Sequence, residues 1–479
     1  MSVTVNKDLF QAAETDFKQE YPAYASTALL DTMREAEYSR LDDLDHVYLD
    51  YTGGGLYAAS QLRAHQDLLA QNVFGNPHSQ NPTSKRMTDL VESARSRVLE
   101  FFQASPDEYA AIFTSNASNA LKLVGESYPF GPGDHYLMAF DNHNSVNGIR
   151  EYARCRGARL DYIPLGIPDM RVPEEQFSEA INHCRTGAND LFAFPAQSNF
   201  SGVQHPLEWI PRAQEKGWDV LLDAAAFVPT NRLDLSVWKP DFVALAFYKM
   251  FGYPTGIGAL IAKRSALAKL RRPWFAGGTI TVASVQGDRH YMADGEAAFE
   301  DGTVNYLNIP AIEVGLNHLD VLGMERIHER CRCLTGWLIE RLVSLTHRNG
   351  ERVVQIYGPE STDHRGGTVT MNFYSPEGAV VDHVVVEDLA ADQNISLRTG
   401  CFCNPGGGEV ALDLTRNELV GCFSQPHIVQ SDRFTVDDFR LCVDGKSTGA
   451  VRVSVGLAST FKDVYRFWLF TQRLSDRGE

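Results

Sequence analysis

Little in this sequence suits a nucleic-acid backbone or an anionic membrane surface as the main partner. Acidic residues outnumber basic ones, 61 to 44, for a formal charge of −17. Both kinds of partner need a basic face. The small group Lys269, Arg271 and Arg272 reads as solvated surface. Long apolar runs are also missing, and none reaches the ~20 residues that span a bilayer. Cysteine is sparse, at eight in 479 residues. That is no disulfide framework, and the expectation is that the thiols stay reduced. The pairs Cys331/Cys333 and Cys401/Cys403 have C-x-C spacing, and the C-x-x-C of a zinc site does not occur. No metal is expected, and Cys331 and Cys333, in a helical stretch, read as structural. The start, Met1–Asp8, has no basic-then-apolar leader, so the expected location is the cytoplasm. Internal repeats and low-complexity segments are absent as well.

What is present fits a globular enzyme of two or three domains: 44% hydrophobic and 22% charged residues. Residues 1–45 are polar and helix-prone. From Val47 onward short apolar runs alternate with amphipathic stretches, the pattern of a mostly parallel sheet covered by helices. Strands are predicted at 110–113, 136–139, 159–163, 191–194, 220–222, 242–246 and 258–262. The stretch 311–346 reads as one or two helices, with a domain linker there. Strands at 367–373 and 450–455 belong to a smaller α+β unit. Pro405-Gly-Gly-Gly408 reads as a loop.

Polar residues cluster where those strands end, which is where open α/β sheets bind ligands. Lys249 ends the run Asp241–Phe247, and desolvation there would lower its pKa. The resulting amine can condense with an aldehyde; the plainer reading is a lysine reaching from a strand edge. Asp223 closes Trp218–Leu222, as a ring-nitrogen partner or a helix cap in equal measure. His143 follows the strand at 136–139 and could stack on a planar ligand. Ser115, Asn116 and Ala117 open a helix after a strand, which makes an anion cradle or simple capping. Asn199 lies just past another strand. The run Arg398-Thr-Gly-Cys-Phe-Cys-Asn404 puts a carboxylate-binding guanidinium beside two thiols. A bland loop pair, half a metal site or a redox pair compete with a nucleophile there. Together these residues make the inventory for pyridoxal 5'-phosphate chemistry.

The motifs also resemble a family. Tyr48-Leu-Asp50, Asn76–Asn81, Ala110–Ser115, Asp141-Asn-His143, Pro195–Gly202, Leu222–Ala225, Phe247–Gly252, Phe299–Thr303, Arg398–Asn404 and Gly449–Ser454 are similar, in order, to the class V aminotransferase superfamily. Within it they are most similar to the N-terminal cysteine desulfurase domain of eukaryotic molybdenum cofactor sulfurases. The resemblance covers residues 45–470. Ala226 and Ala298 stand where many members have glutamine and arginine, and the third cysteine that often follows Cys-Phe-Cys-Asn is absent.

The resemblance implies fold type I, α/β: a large domain with a mostly parallel seven-stranded sheet, and a smaller α+β C-terminal domain. It divides the chain into an N-terminal segment (1–45) packing with the small domain, a cofactor domain (46–315) and a small domain (316–479) carrying the cysteine loop. It implies that Lys249 carries pyridoxal phosphate, Asp223 pairs with the pyridine nitrogen, His143 stacks on the ring and Asn199 sits near the ring hydroxyl. It gives Arg398 the substrate carboxylate and Cys403 the nucleophilic role, with Cys401 as a resolving or sulfur-accepting thiol. It implies a homodimer in which Thr279 reaches the neighbour's phosphate. The expected reaction converts L-cysteine, or a derivative, to L-alanine with a persulfide on Cys403 and an unidentified acceptor. A C–S lyase or other β-eliminating or C–C-cleaving enzyme is the alternative, and a non-catalytic scaffold stands behind both.

Overall fold

The computed structural model describes residues 6–77, 79–184, 187–425, 434–435, 438–439 and 448–476. A short strand β1 (Val47–Tyr48) precedes the main sheet. That sheet comprises β2 (Tyr109–Thr114), β3 (His135–Ala139), β4 (Arg159–Ile163), β5 (Leu191–Pro195), β6 (Asp219–Asp223), β7 (Phe242–Ala246) and β8 (Gly258–Lys263). Their spatial order is β2-β8-β7-β6-β5-β3-β4. Strands β7, β6, β5, β3 and β4 are parallel, and β8 runs against both its neighbours. Every residue of β3, β5, β6 and β7 is buried. Burial on both faces is why these runs read as continuously apolar rather than alternating. The expected mostly parallel seven-stranded sheet is therefore present, with bounds within two residues of the predicted ones.

A two-stranded hairpin, β9 (Ile280–Ser284) and β10 (Arg289–Met292), was not predicted. Its side chains are largely exposed, so the apolar pattern that marks a strand is weak there. Next come β11 (Val354–Tyr357), β12 (Thr368–Phe373), β13 (Ile395–Ser396), β14 (Arg398–Gly400) and β15 (Ala450–Ser454). Four of them form an antiparallel sheet in the order β11-β12-β15-β14. The fifth, β13, pairs in parallel with β1 across nearly 350 residues of sequence, Val47 opposite Ile395. A bridge from Asp50 to Ser454 continues that contact. The stretch 311–346 resolves into two helices, Pro310–Leu322 and Met324–Val343, broken at Gly323 with φ 81°.

Residues 405–408 overturn their prediction as a loop. They begin a helix, Pro405–Ala411. Pro405 occupies the first turn, where its missing N–H costs nothing, and the Asn404 side chain caps the helix by accepting from Gly407 N at 2.9 Å. Glycine is required by crowding: a Cβ on Gly406 would strike the Phe140 carbonyl, and one on Gly407 would meet Phe200 at 3.0 Å. Cysteine brings a second departure, for Cys422 is disulfide-bonded. Cys331 and Cys333 are buried, and desolvation pushes each thiol up to about 12.

The N-terminal helix Lys7–Glu20 turns Phe17 against Phe461, ring centroids 4.5 Å apart, and edge-on to Trp337. Arg330, fully buried, fixes the next segment. It donates to Thr27 Oγ1 (2.7 Å), Thr27 O (2.8 Å) and Asp31 (2.7 and 2.9 Å), and lies 4.2 Å from the Tyr24 ring centroid. Arg330→Ala is expected to cost about 3–4 kcal/mol, because it leaves two carbonyls (Thr27 and Ser459), a hydroxyl and half an ion pair without their donor. A shifted denaturant midpoint measures it; a loss below about 1 kcal/mol, the worth of a surface pair, would show that water replaces the guanidinium.

Candidate active site

Five segments that follow the carboxyl ends of β2, β3, β5, β6 and β7 converge on one cavity of about 330 Å³. Lys249 lines it, on the short helix Phe247–Phe251 that begins as β7 ends. Burial is the main influence on its amine and lowers its pKa, against the opposing pull of the Asp223 carboxylate. The neutral form that nucleophilic amine chemistry needs is thereby favoured. Asp223 ends β6 next to β7 in the sheet and is buried. Its Oδ1 accepts from Ala225 N at 3.0 Å; residues 225–230 form turns and not a helix, so the side chain closes a turn and the helix-cap reading is not met. His143 lines the cavity too, and its Nδ1 accepts from Ser145 N at 3.1 Å. That bond leaves the ring proton to Nε2. Burial lowers the His143 pKa, with Asp223 opposing, so the ring is neutral near pH 7.

The far wall is the start of the 11-residue helix Ala117–Ser127, with Ser115, Asn116 and Ala117 on the cavity. Asn116 caps it, accepting from Asn119 N at 2.9 Å. The Ser118 and Ser145 hydroxyls meet at 2.6 Å on the same wall. Backbone N–H groups, hydroxyls and a helix N-terminus make a donor set for a phosphate. A buried amine, a strand-end carboxylate and this cradle fit pyridoxal phosphate. Among the described residues, no group of three or more His, Cys, Asp or Glu is placed to hold a metal.

Asn199 lines the cavity as well and joins it to the thiol loop. Its Nδ2 donates to Phe402 O at 2.7 Å, and its Oδ1 accepts from Asn404 Nδ2 at 3.0 Å. Asn404 Nδ2 also donates to Asp141 O at 2.7 Å, and Asn144 N donates to Cys403 O at 2.7 Å. Phe402 and Cys403 both sit in the left-handed region, φ 55° and 54°. Two such residues in succession are strained and persist only when their surroundings hold them. Both Cys401 and Cys403 are exposed.

Three sequence-derived residues do not line the cavity: Arg398, Cys403 and Thr279. Arg398 is engaged by Asp50, Nη2 to Oδ2 at 2.6 Å. Thr279 is buried, and its hydroxyl bonds to Ala276 N and O, both at 2.9 Å. The sequence reading missed Arg452 and Asp50 as site residues. Arg452 is buried, donates to Asn199 O (2.9 Å) and Asp50 Oδ1 (3.2 Å), and lies 4.6 Å from the Phe402 ring centroid. Desolvation is the main influence on its pKa, pushing it down to about 10. A guanidinium inside the apolar strand Ala450–Ser454 was the available signal, because a buried charge needs a partner.

A mostly parallel sheet with a lysine, an aspartate and an anion cradle at its strand ends defines a lysine-centred cofactor enzyme. The class V aminotransferase model matches residues 47–467, and the chain belongs to that family. It is 38% identical over 483 residues to the molybdenum cofactor sulfurase of Solanum lycopersicum. That match covers 94% of this chain and 58% of the tomato protein, so the chain spans little more than half of its curated relative. Among solved structures it resembles an apo cysteine desulfurase from Thermococcus onnurineus NA1, with a TM-score of 0.75 at 23% identity, covering 93% of this chain and 97% of the other. A complex of the cystine C–S lyase C-DES with cysteine persulfide aligns with a TM-score of 0.66 at 18% identity, over 91% and 98% of the two chains.

Proposed function

We propose that this chain is a pyridoxal phosphate-dependent cysteine desulfurase. The observation that carries the reading is the anchoring of a thiol loop to the wall of the lysine cavity through Asn199. Lys249, Asp223, His143 and the Ser115–Ala117 cradle would hold the cofactor, which supplies an electron sink for bond changes at the substrate's α- and β-carbons. Lys249, whose amine burial holds below the ordinary lysine pKa, takes the proton from Cα. His143 offers a neutral, oriented ring beside the reacting atoms. The Cys403 thiolate attacks the substrate sulfur: an S–S bond forms, the C–S bond breaks with its electron pair left on Cβ, Cβ takes up a proton, and alanine leaves. The persulfide is then passed to an acceptor that is not identified.

A two-fold homodimer belongs to the reading. Trp274, Phe275, Val282, Val285 and Tyr291 are exposed on and beside the β9–β10 hairpin, an apolar surface that a second copy would cover. Thr279 lies in the same region.

The test is product analysis with L-cysteine, pyridoxal phosphate and a thiol reductant. Wild type is expected to give alanine and sulfide in equal amounts, and Cys403→Ala to lose at least about 100-fold in alanine, as removal of a nucleophile implies. Pyruvate as the product, or turnover that survives the substitution, points to the C–S lyase reading instead.

A further inference from the structure

Two guanidinium groups and one carboxylate meet at the paired strands β14 and β15. Arg398 donates to Asp50 from Nε at 3.1 and 3.0 Å and from Nη2 at 2.6 Å. Arg452 donates to the same carboxylate from Nη2 at 3.2 Å. The Arg398 guanidinium is half exposed and donates to no other group among the described residues. Arg452 is buried, and among the described residues its Nε has no hydrogen-bond partner.

Chain pairing brings Asp50 to this place. The β1–β13 pair and the Asp50–Ser454 bridge set it beside β15. The loop after it rests on the lysine helix: Gly55 N donates to Tyr248 O at 3.0 Å, and a Cβ on Gly55 would come within 2.8 Å of Lys249 O. The three charges therefore sit one loop away from the reacting amine. Two cations and one anion leave a single positive charge, which one further carboxylate would balance. Without the anion, two neighbouring guanidinium groups repel each other, and the half-exposed Arg398 is free to turn to water.

We propose that Asp50 is a positioning residue that aligns Arg398 and Arg452 as a clamp for the substrate's α-carboxylate. The inference rests on the amino-acid substrate of the proposed function, but its test does not require desulfuration. Its distinctive feature is a protein carboxylate that orients the cations while leaving Arg398 Nη1 and Arg452 Nε unspent. A third observation supports the tight fit: a Cβ on Gly53 would fall 2.5 and 2.6 Å from the Asp50 carboxylate oxygens and 2.7 Å from Arg398 Nη2.

The experiment titrates the cofactor-loaded protein with L-alanine and with ethylamine, which differ only by the carboxylate, following the cofactor's absorbance. The readout is the ratio of the two affinities. Asp50→Asn is expected to lower that ratio about tenfold by weakening L-alanine alone, the scale of one charge-assisted hydrogen bond lost. Gly53→Ala keeps every charge and displaces the carboxylate and Arg398, so it is expected to lower the ratio in the same direction; it carries the test if Asp50→Asn does not fold. An unchanged or raised ratio overturns the proposal. That includes a ratio left unchanged because both ligands weaken together, as a merely structural role for Asp50 would produce. Absence of alanine production from L-cysteine with a lowered ratio would instead sink the desulfurase reading and leave the clamp standing.

Discussion

Lys249→Ala is expected to reduce alanine formation from L-cysteine by about 10³–10⁴-fold, the range for loss of a positioned proton-transfer group. Taking an ammonium out of water is costly, and desolvation by the surrounding strands is the dominant influence on this amine. Such a placement destabilises a charged lysine, so removing the amine should not cost stability; thermal midpoints of wild type and variant in the cofactor-free state are expected to agree within a few degrees. Lys249→Arg is expected to be equally inactive, because a guanidinium keeps its proton and cannot act as the amine does. Retention of more than a tenth of wild-type turnover by either variant would remove Lys249 from the reaction.

The sequence made this residue legible because the signal is local. Lys249, Asp223 and His143 each follow a short apolar run, and a run buried on both faces ends where a parallel sheet binds ligands. No knowledge of distant contacts was needed. Asp50 and Arg452 are different. Their meeting depends on β1 pairing with β13 and on the bridge from Asp50 to Ser454, contacts that join segments some 350 and 400 residues apart. A single strand's pattern carries no information about such a partner. The helix Pro405–Ala411 failed for another reason. Three consecutive glycines argue for a loop by propensity, yet here they let the helix approach Phe140 and Phe200. Tertiary packing overrode the local preference.

That same approach underlies the second large effect, expected from Asn404→Ala. Asn404 is fully buried and makes three side-chain bonds: to Asp141 O at 2.7 Å, to Asn199 Oδ1 at 3.0 Å and from Gly407 N at 2.9 Å. It caps the glycine helix on one side and ties it to the His143 and Asn199 segments on the other. Between these ties the backbone at Phe402 and Cys403 holds a strained left-handed turn. Truncating the amide frees that turn to relax toward ordinary φ, and the thiol moves with it. A displacement on the order of 1 Å at a reacting atom can cost about 100-fold. Alanine formation by Asn404→Ala is therefore expected to fall about 100-fold, while the cofactor still binds, because Lys249, Asp223 and the Ser115–Ala117 cradle are untouched. Single-turnover measurement of persulfide on Cys403 separates this from a binding defect: substrate affinity should hold and the sulfur-transfer step should slow. A variant that transfers sulfur at the wild-type rate would mean that the loop keeps its strained turn without Asn404, through Asn199 and Asn144 alone.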